Sequence, residues 1–237
     1  MTTILYGIYY FFYMILLGMK GIKYNFIRKF KGEAAAYDYV KKTALLWSNH
    51  TIKSIGINLE IRGQENLIDE PCLFVANHQS LLDIPALIVA INKPVGFIGK
   101  KELSKIPVLS KWMGRSKSIF LDRENVREAI KSMNEGIENI KKGYSMAIFP
   151  EGTRSKSDNV LDFKKGSLKL ALKPLAPIIP VSINGTYKSL EEHNRVRKAD
   201  VIVTINKPIY TKDLSKEEIS NLSVTVRNII IDSKNKK

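Results

Sequence analysis

Cysteine is nearly absent from this chain of 237 residues, since Cys72 is its only one. A single cysteine excludes an intramolecular disulfide and a cysteine-rich zinc site, so the fold must hold without cross-links, which suits a reducing compartment. The 14 glycines and 9 prolines are too few for a collagen-like or low-complexity chain, and the hydrophobic share of 44% is too high for a disordered one. A packed core in one domain's worth of sequence is expected.

Acidic residues are also scarce, with 23 against 38 lysines and arginines, which gives a formal net charge of +15. The excess lies in three blocks, at residues 20–31, 93–117 and 164–173, and the rest of the chain is close to neutral. Charge confined to blocks indicates a localised anionic partner, which can be nucleic acid, a membrane surface or phosphorylated substrates.

No charged side chain occurs between residues 2 and 19, which are rich in isoleucine, leucine and phenylalanine. As a helix this segment is ~27 Å long, just short of the ~30 Å hydrocarbon core of a bilayer. Tyr6, Tyr9, Tyr10 and Tyr13 lie in its middle, although phenols prefer the headgroup region. Membrane association is predicted, by a crossing or a tilted, half-inserted helix, with a buried helix of a soluble protein as the alternative.

Residues 34–57 have the spacing of an amphipathic helix, which would lie either on the membrane interface or on the rest of the protein. We therefore predict a membrane-associating helical region at residues 1–57 and an α/β domain at residues 58–237. The first basic block, between these two helical segments, would hold the chain at an anionic cytoplasmic membrane face.

Strand-like and helical patterns alternate after residue 58. Seven short apolar or β-branched runs lie at residues 59–62, 73–76, 95–98, 118–121, 146–149, 178–183 and 201–205. A helix at residues 125–142 is expected to bury one face, made of Val126, Ala129, Ile130, Met133, Ile137 and Ile140. A second helix at residues 216–231 begins with a capping box, Ser215 with Glu218, and is expected to bury Ile219, Leu222, Val226 and Ile230. This alternation predicts an α/β fold with a mixed, largely parallel sheet flanked by helices.

His78 follows the run at residues 73–76, and Asp83 lies five residues later. Histidine titrates near neutrality and suits a general base, which a carboxylate can orient. Five residues apart on one helix, the two side chains would diverge by about 140°, so His78 must lie in a turn for them to meet. The alternative is that Asp83 is the N-cap of a helix with Pro85 in its first turn. Both roles are compatible.

Polar residues follow two further strand-like runs. Pro150-Glu151-Gly152-Thr153-Arg154 comes after residues 146–149, and its threonine and arginine offer donors suited to a phosphate. Taken alone, this segment can also be a tight surface turn with an exposed arginine. Arg123 follows residues 118–121, where Asp122 or Glu124 can simply pair with it.

Five blocks together resemble the glycerolipid acyltransferase family, in particular the 1-acylglycerol-3-phosphate acyltransferases. The blocks are Asn77-His78-x-Ser80-x-x-Asp83, Gly99-Lys100-Lys101-Glu102-Leu103, Phe120-x-Asp122-Arg123, Phe149-Pro150-Glu151-Gly152-Thr153-Arg154-Ser155 and Ile179-Pro180-Val181. They occur in the order of the family and span residues 72–185. The resemblance implies that His78 is the general base and that Asp83 holds and polarises it. It also assigns the glycerol phosphate of the acceptor to Arg123, Glu151, Gly152, Thr153 and Arg154.

The resemblance implies transfer of a fatty acyl group to the free hydroxyl of lysophosphatidate, which gives phosphatidate for phospholipid biosynthesis. The donor is expected to be acyl-CoA or an acyl carrier protein, without a cofactor, a metal or nucleic acid, at an anionic membrane surface. Two alternatives stay open. One is another acceptor, such as glycerol 3-phosphate or another lysolipid. The other is a non-catalytic basic membrane- or lipid-binding module, which leaves His78 and Glu151 without a role.

Overall fold

A seven-stranded sheet organises the computed structural model, which describes residues 3–236. The strands are β1 Ile57–Arg62, β2 Leu73–Ala76, β3 Gly96–Lys100, β4 Ile119–Leu121, β5 Met146–Ile148, β6 Ile178–Asn184 and β7 Ala199–Ile205. The helices are α1 Thr3–Ile55, α2 Asp83–Ile91, α3 Pro107–Arg115, α4 Val126–Lys141, α5 Lys169–Leu172 and α6 Lys216–Asn235. The order is β1-β7-β6-β2-β5-β3-β4, with only β6 and β7 antiparallel among the neighbouring pairs. The predicted mixed, largely parallel sheet and its seven strands are confirmed.

The central strand β2 separates two cores. Phe74 and Ala76 belong to the core cluster that also contains residues of α1 and α2, whereas Leu73 and Val75 belong to the cluster that contains residues of α4 and α6. Successive side chains of a strand point to opposite faces, which explains why a continuous apolar run fits this position. Helices therefore cover both faces of the sheet.

The apolar N-terminal segment is one arm of a helical hairpin. α1 is broken at Gly32, whose φ of 85° is a left-handed conformation that a side chain disfavours, although no atom would contact a Cβ there. We call residues 3–31 the first arm and residues 33–55 the second arm. Position 2 of the predicted apolar segment, and positions 1 and 237 of the predicted domains, lie outside the described residues.

Tyrosine side chains join the two arms. The hydroxyl of Tyr6 donates to Ser54 (2.9 Å), and that of Tyr10 donates to Thr51 (2.8 Å) and accepts from Trp47 Nε1 (2.7 Å). The arms run antiparallel, because Tyr6 contacts Ser54 whereas Tyr10, further along the first arm, contacts the earlier residues Thr51 and Trp47. These two phenols are therefore satisfied inside the hairpin rather than by lipid headgroups.

Both arms pack against the rest of the protein. In the second arm Ala36, Val40, Ile52 and Ile55 are buried, so the amphipathic segment lies on the domain. The first arm accepts hydrogen bonds at the Leu17 carbonyl from Trp112 Nε1 (3.3 Å) and at the Gly21 carbonyl from Arg115 (3.5 Å). The boundary at residue 57 stays a prediction.

Two predicted helices differ in detail from the structure. Val126 and Ile130 of α4 are exposed, while Ile137 and Ile140 are buried as expected. The 16 residues of α4 are ~24 Å long, whereas the three residues of its neighbour β4 span only ~10 Å, so the start of the helix extends beyond the sheet. α6 has the predicted capping box, but Ile219 in its first turn is exposed.

Asn77 links the end of β2 to β6. Its side chain is wholly buried, donates to the Ile183 carbonyl (2.9 Å) and accepts from the Ile183 N–H (2.8 Å). The amide thus continues the sheet hydrogen bonding by one pair beyond the last residue of β2. The loop with His78 begins from this fixed point.

We expect Asn77→Ala to lower the free energy of unfolding by about 2 to 4 kcal/mol, because the N–H and carbonyl of Ile183 both lose their buried partner. Urea denaturation in detergent measures the change. Asn139→Ala is the control, because Asn139 is half-buried and makes a single bond to the Lys117 carbonyl. A loss no larger than that of Asn139→Ala would contradict the role of Asn77.

Candidate active site

His78 and Asp83 meet at the carboxyl end of β2. His78 lies in an irregular loop two residues beyond the strand, and its Nδ1 is 2.7 Å from Asp83 Oδ2. The pair therefore has the arrangement that the spacing required, with the histidine in a turn. α2 does begin at Asp83, but its N-cap is Leu82, and the Asp83 carboxylate turns back toward the loop. The predicted N-cap role of Asp83 is wrong for this reason.

The Asp83 carboxylate is wholly buried and is surrounded by donors. Oδ2 also accepts from the backbone N–H groups of Gln79 (2.7 Å) and Ser80 (2.8 Å), and Oδ1 accepts from the Thr186 hydroxyl. An ionised carboxylate can only accept hydrogen bonds. In the hydrogen bond between His78 Nδ1 and Asp83 Oδ2, the proton is therefore assigned to Nδ1. Nε2 of His78 then keeps a free lone pair, which a general base needs.

An aromatic ring fixes the plane of the imidazole. Phe149, the residue after β5, stacks on His78 with the ring centroids 4.1 Å apart and an angle of 15° between the planes. Nδ1 of the imidazole is bound to Asp83, and Phe149 covers one face of the ring. The edge of the ring that carries Nε2 is therefore left for a substrate. His78 is itself part of the lining of a large cavity.

Glu151 joins the loop after β5 to the loop after β2. It is only 5% exposed, and its two oxygens accept from the backbone N–H groups of His78 (2.7 Å) and Leu161 (3.2 Å). Ser155 N–H donates in return to the His78 carbonyl (2.8 Å). Burial raises the pKa of Glu151 to about 7, although the two backbone donors act in the opposite direction. Both carboxylate oxygens thus bind backbone N–H groups of the loops. The role of Glu151 in acceptor binding stays a prediction.

Arg154 is held at the cavity by a residue that sequence analysis missed. Its guanidinium is half-buried and pairs with Glu191, at 2.9 Å between Nη1 and Oε1. The same buried oxygen accepts from the Leu81 N–H (3.0 Å), next to the loop of His78. The segment does contain the tight turn, closed by the Gly152 N–H and the Phe149 carbonyl (3.1 Å), but the expectation of an exposed arginine is wrong.

Arg123 reaches the same end of the cavity from β4. Its guanidinium donates to the carbonyl of Gly152, and both residues line the cavity together with the exposed Thr153. Asp122 pairs with Lys101 (2.7 Å) instead, and among the described residues Glu124 forms no ion pair with Arg123, so neither of the two expected simple pairs is present. The loops after β2, β4 and β5 thus bring His78 and two arginines together, as expected where the carboxyl ends of parallel strands meet.

α6 supports this arrangement from outside the sequence blocks. Arg227 donates to the carbonyls of Val160 (2.7 Å) and Leu161 (3.0 Å), and the buried Lys234 pairs with Asp158 (2.9 Å). These contacts join positions 66 to 76 residues apart, which no local pattern indicates. Thr186 and Glu191, by contrast, follow β6, so the rule that polar residues beyond strand ends line a site could have found them.

The cavity beside His78 has a volume of about 770 Å³, within the range of ligand pockets. Its polar end is lined by His78, Arg123, Gly152, Thr153, Arg154 and Lys156. Its apolar wall includes Leu17, Val40, Trp47, Ile88, Phe97, Leu109 and Trp112, from both arms of α1, from α2, from β3 and from α3. Within residues 3–236 no group of three His, Cys, Asp or Glu side chains could hold a metal ion.

The chain is similar in sequence to known acyltransferases. The acyltransferase family model matches residues 58–184. A 1-acyl-sn-glycerol-3-phosphate acyltransferase of Saccharomyces cerevisiae is 36% identical over 189 residues, which are 78% of this chain and 62% of the relative. A probable 1-acyl-sn-glycerol-3-phosphate acyltransferase of Mycoplasma genitalium is 34% identical over 191 residues, 75% of this chain and 71% of the relative.

The crystal structure of the 1-acyl-sn-glycerophosphate acyltransferase PlsC from Thermotoga maritima has the same fold. Its TM-score is 0.81 at 29% identity, and the match covers 99% of this chain and 97% of that one. Curated relatives from S. cerevisiae, Brassica napus and Cocos nucifera are longer, so that the match spans 56% to 62% of their length. The matched region contains the His78–Asp83 pair and both arginines. This chain belongs to the acyltransferase family.

Proposed function

We propose that this protein is a 1-acyl-sn-glycerol-3-phosphate O-acyltransferase, which transfers a fatty acyl group from a thioester to lysophosphatidate. The observation that carries the proposal is that His78 lines one cavity together with Arg123, Arg154 and an apolar wall. An acyl chain fits the apolar wall, a phosphate fits the arginines, and the reacting atoms meet at the imidazole. The names of the relatives support this choice of reaction.

In the proposed mechanism His78 Nε2 takes the proton of the acceptor hydroxyl. The oxygen bonds to the thioester carbonyl carbon, and collapse of the tetrahedral intermediate breaks the carbon–sulfur bond. The leaving thiolate takes the proton from His78, so the enzyme ends as it began. Asp83 keeps the imidazole in the required tautomer and stabilises its charged form. No side chain acts as a nucleophile.

The acceptor phosphate is proposed to bind between Arg123 and Arg154. Arginine guanidinium groups present paired N–H donors that match phosphate oxygens. Arg154 is preorganised by Glu191, and Arg123 is held by the Gly152 carbonyl, so neither has to be ordered when the phosphate arrives. A phosphate between them would lie within the polar end of the cavity, close to His78.

The acyl donor is proposed to be acyl-CoA or an acyl carrier protein, with the acyl chain along the apolar wall. A non-catalytic lipid-binding module is a poorer alternative. Such a module needs the cavity and the cations. It has no use for an imidazole whose Nδ1 is bound to a buried carboxylate and whose Nε2 has no hydrogen-bond partner among residues 3–236.

The first arm is proposed to attach the protein to the cytoplasmic face of a membrane. Large apolar side chains recur at helical spacing along it and are exposed, which we call the apolar stripe. Its members are Ile4, Leu5, Ile8, Phe11, Phe12, Ile15, Leu16, Met19, Ile22, Phe26 and Phe30. Residues 3–55 also form a helix long and apolar enough to cross a membrane, by length and composition. The basic block at residues 20–31 adjoins the stripe and suits anionic headgroups.

A surface attachment fits the contacts of the first arm better than a crossing one. Val196 N–H donates to the Thr3 hydroxyl at one end of the arm, and Trp112 and Arg115 bind its middle. A helix that crossed the bilayer would have to leave these partners or carry them into the hydrocarbon. Lying in the interface, the arm keeps its contacts and buries only the stripe.

His78→Ala should lower kcat for thiol release from acyl-CoA or acyl carrier protein in the presence of lysophosphatidate by about 10² to 10⁴-fold, because general base catalysis is removed. Thiol detection with saturating substrates measures it. His193→Ala is the control, because His193 is half-exposed and outside the lining of the cavity. Near-normal turnover in His78→Ala would reject the mechanism. Turnover with glycerol 3-phosphate and not with lysophosphatidate would reject the acceptor.

Arg154→Ala should lower kcat/KM for lysophosphatidate by about tenfold to a hundredfold, because a charge-assisted bond to the phosphate is lost, and should leave the KM of the donor nearly unchanged. Initial rates at varied acceptor concentration measure the effect. Arg62→Ala is the matched control. Arg62 also pairs with a glutamate, Glu60 (2.6 Å), but it is the last residue of β1, which runs antiparallel to β2 and β5, so it lies at the opposite end of the sheet from Arg154. An unchanged dependence on acceptor concentration would exclude the phosphate role.

Replacing Phe26 and Phe30 of the stripe by serine should weaken binding to anionic phospholipid vesicles by about a hundredfold or more, because burying each ring contributes about 1.5 to 3 kcal/mol. Vesicle sedimentation of the full chain measures the partition coefficient. The control replaces Val126 and Ile130, which are equally exposed but belong to the helix on the other face of the sheet. Equal losses in the two double variants would contradict the proposed orientation.

A further inference from the structure

Thr186 contacts the side of the catalytic pair that faces away from His78. Its hydroxyl donates to Asp83 Oδ1, and the residue is wholly buried. Thr186 lies two residues beyond β6 and two residues beyond the region that the family model matches. Asp83 and Thr186 are 103 positions apart, so their contact depends on β6 lying beside β2.

The backbone before Thr186 is shaped to bring it there. Gly185 has a φ of 100°, and a Cβ at this position would approach the Asp200 carbonyl oxygen to 2.3 Å, so only glycine fits. The Gly185 N–H donates to the side-chain oxygen of Gln79 (3.0 Å), which lies in the loop of the catalytic histidine. The Thr186 hydroxyl also lies 3.4 Å from the same Gln79 oxygen, so three hydrogen-bond contacts join the turn after β6 to Gln79 of that loop and to Asp83 at the start of α2.

The two oxygens of Asp83 differ in what they hold. Oδ2 accepts three N–H bonds, including the one from His78, whereas the Thr186 hydroxyl is the donor recorded for Oδ1 among the described residues. A donor on the second oxygen has two effects. It fixes the rotation of the carboxylate, and it withdraws negative charge from the oxygen that faces the imidazole.

We propose that Thr186 is a positioning residue of the catalytic pair, which fixes the orientation of the Asp83 carboxylate and limits how strongly it stabilises the charged imidazolium of His78. The inference rests on the proposed function for its role in acyl transfer. The contact between the hydroxyl and the carboxylate does not depend on that function. Thr186 acts through Asp83 and does not touch the reacting atoms.

Other charged groups surround the His78–Asp83 pair, and their influence on the imidazole must be separated from that of Thr186. Glu151 contacts the backbone of His78, and the pair of Arg154 with Glu191 lies beyond the same loop. Arg123 and Lys156 line the polar end of the cavity. Because the pKa of Glu151 is about 7, a rate profile alone would mix its titration with that of the imidazole. A readout of the His78 ring itself is therefore needed.

The test compares Thr186→Val, Thr186→Ser and Thr211→Val. Thr211 is the matched control: it is buried, it is the first residue of a 3₁₀ turn like Thr186, and its hydroxyl donates to the Ala176 carbonyl (3.0 Å), away from the cavity. In Thr186→Val the acid limb of the plot of kcat/KM against pH should move to higher pH by about half to one unit. Without the Thr186 donor the Asp83 carboxylate keeps more negative charge and favours the imidazolium more strongly. The plateau kcat should fall by about tenfold, with both KM values nearly unchanged.

NMR titration of the His78 ring, assigned from the signal missing in His78→Gln, should show the same shift to higher pH in Thr186→Val without any substrate. Thr186→Ser should restore the wild-type profile, and Thr211→Val should keep it even where it lowers stability. An unchanged ring titration in a folded Thr186→Val would overturn the inference. If the wild type failed to use lysophosphatidate while the ring titration still moved, the proposed function would fail and the positioning role would stand.

Discussion

The buried carboxylate of Asp83 holds together the end of the sheet that carries His78. Asp83 receives the imidazole N–H of His78, two backbone N–H groups and the hydroxyl of Thr186, and no part of it is exposed to solvent. A buried charge without such donors would cost several kcal/mol, so the loop after β2 cannot relax without a large penalty. The position of His78 follows from this constraint, since the ring is one of the donors that satisfy the carboxylate.

The loops after β2 and β5 depend on each other in the same way. Glu151 accepts the backbone N–H of His78, and Ser155 donates to the carbonyl of the same residue. α6 then holds the far part of the β5 loop through Arg227 and Lys234. Residues outside the family blocks therefore add rigidity to the proposed catalytic pair and to the proposed phosphate site.

α1 contributes to the cavity on one side and to the exposed apolar surface on the other. The inner sides of its arms form part of the cavity wall, and the outer side of the first arm carries the apolar stripe. The left-handed backbone of Gly32 makes this possible, because it reverses the helix and lets Tyr10 pair with Trp47 and Thr51. The charge excess is divided accordingly. The basic block at residues 20–31 adjoins the stripe, while Arg123 and Arg154 at the cavity lie outside all three blocks.

The sequence by itself determined the local features of this protein. Apolar runs predicted all seven strands, the capping box predicted the start of α6, and the spacing of His78 and Asp83 required the turn in which the histidine lies. These features depend on neighbours within a few residues, where periodicity and side-chain reach decide the outcome.

Only the tertiary structure decided the order of the strands, the hairpin of α1, the exposure of the start of α4, and the partners Thr186 and Glu191. Buried strands with similar apolar runs can be ordered in several ways, and residues far apart in sequence meet only after that order is set. The physical reason is that burial and long-range hydrogen bonds belong to the packed sheet as a whole, and no segment of the chain contains them on its own.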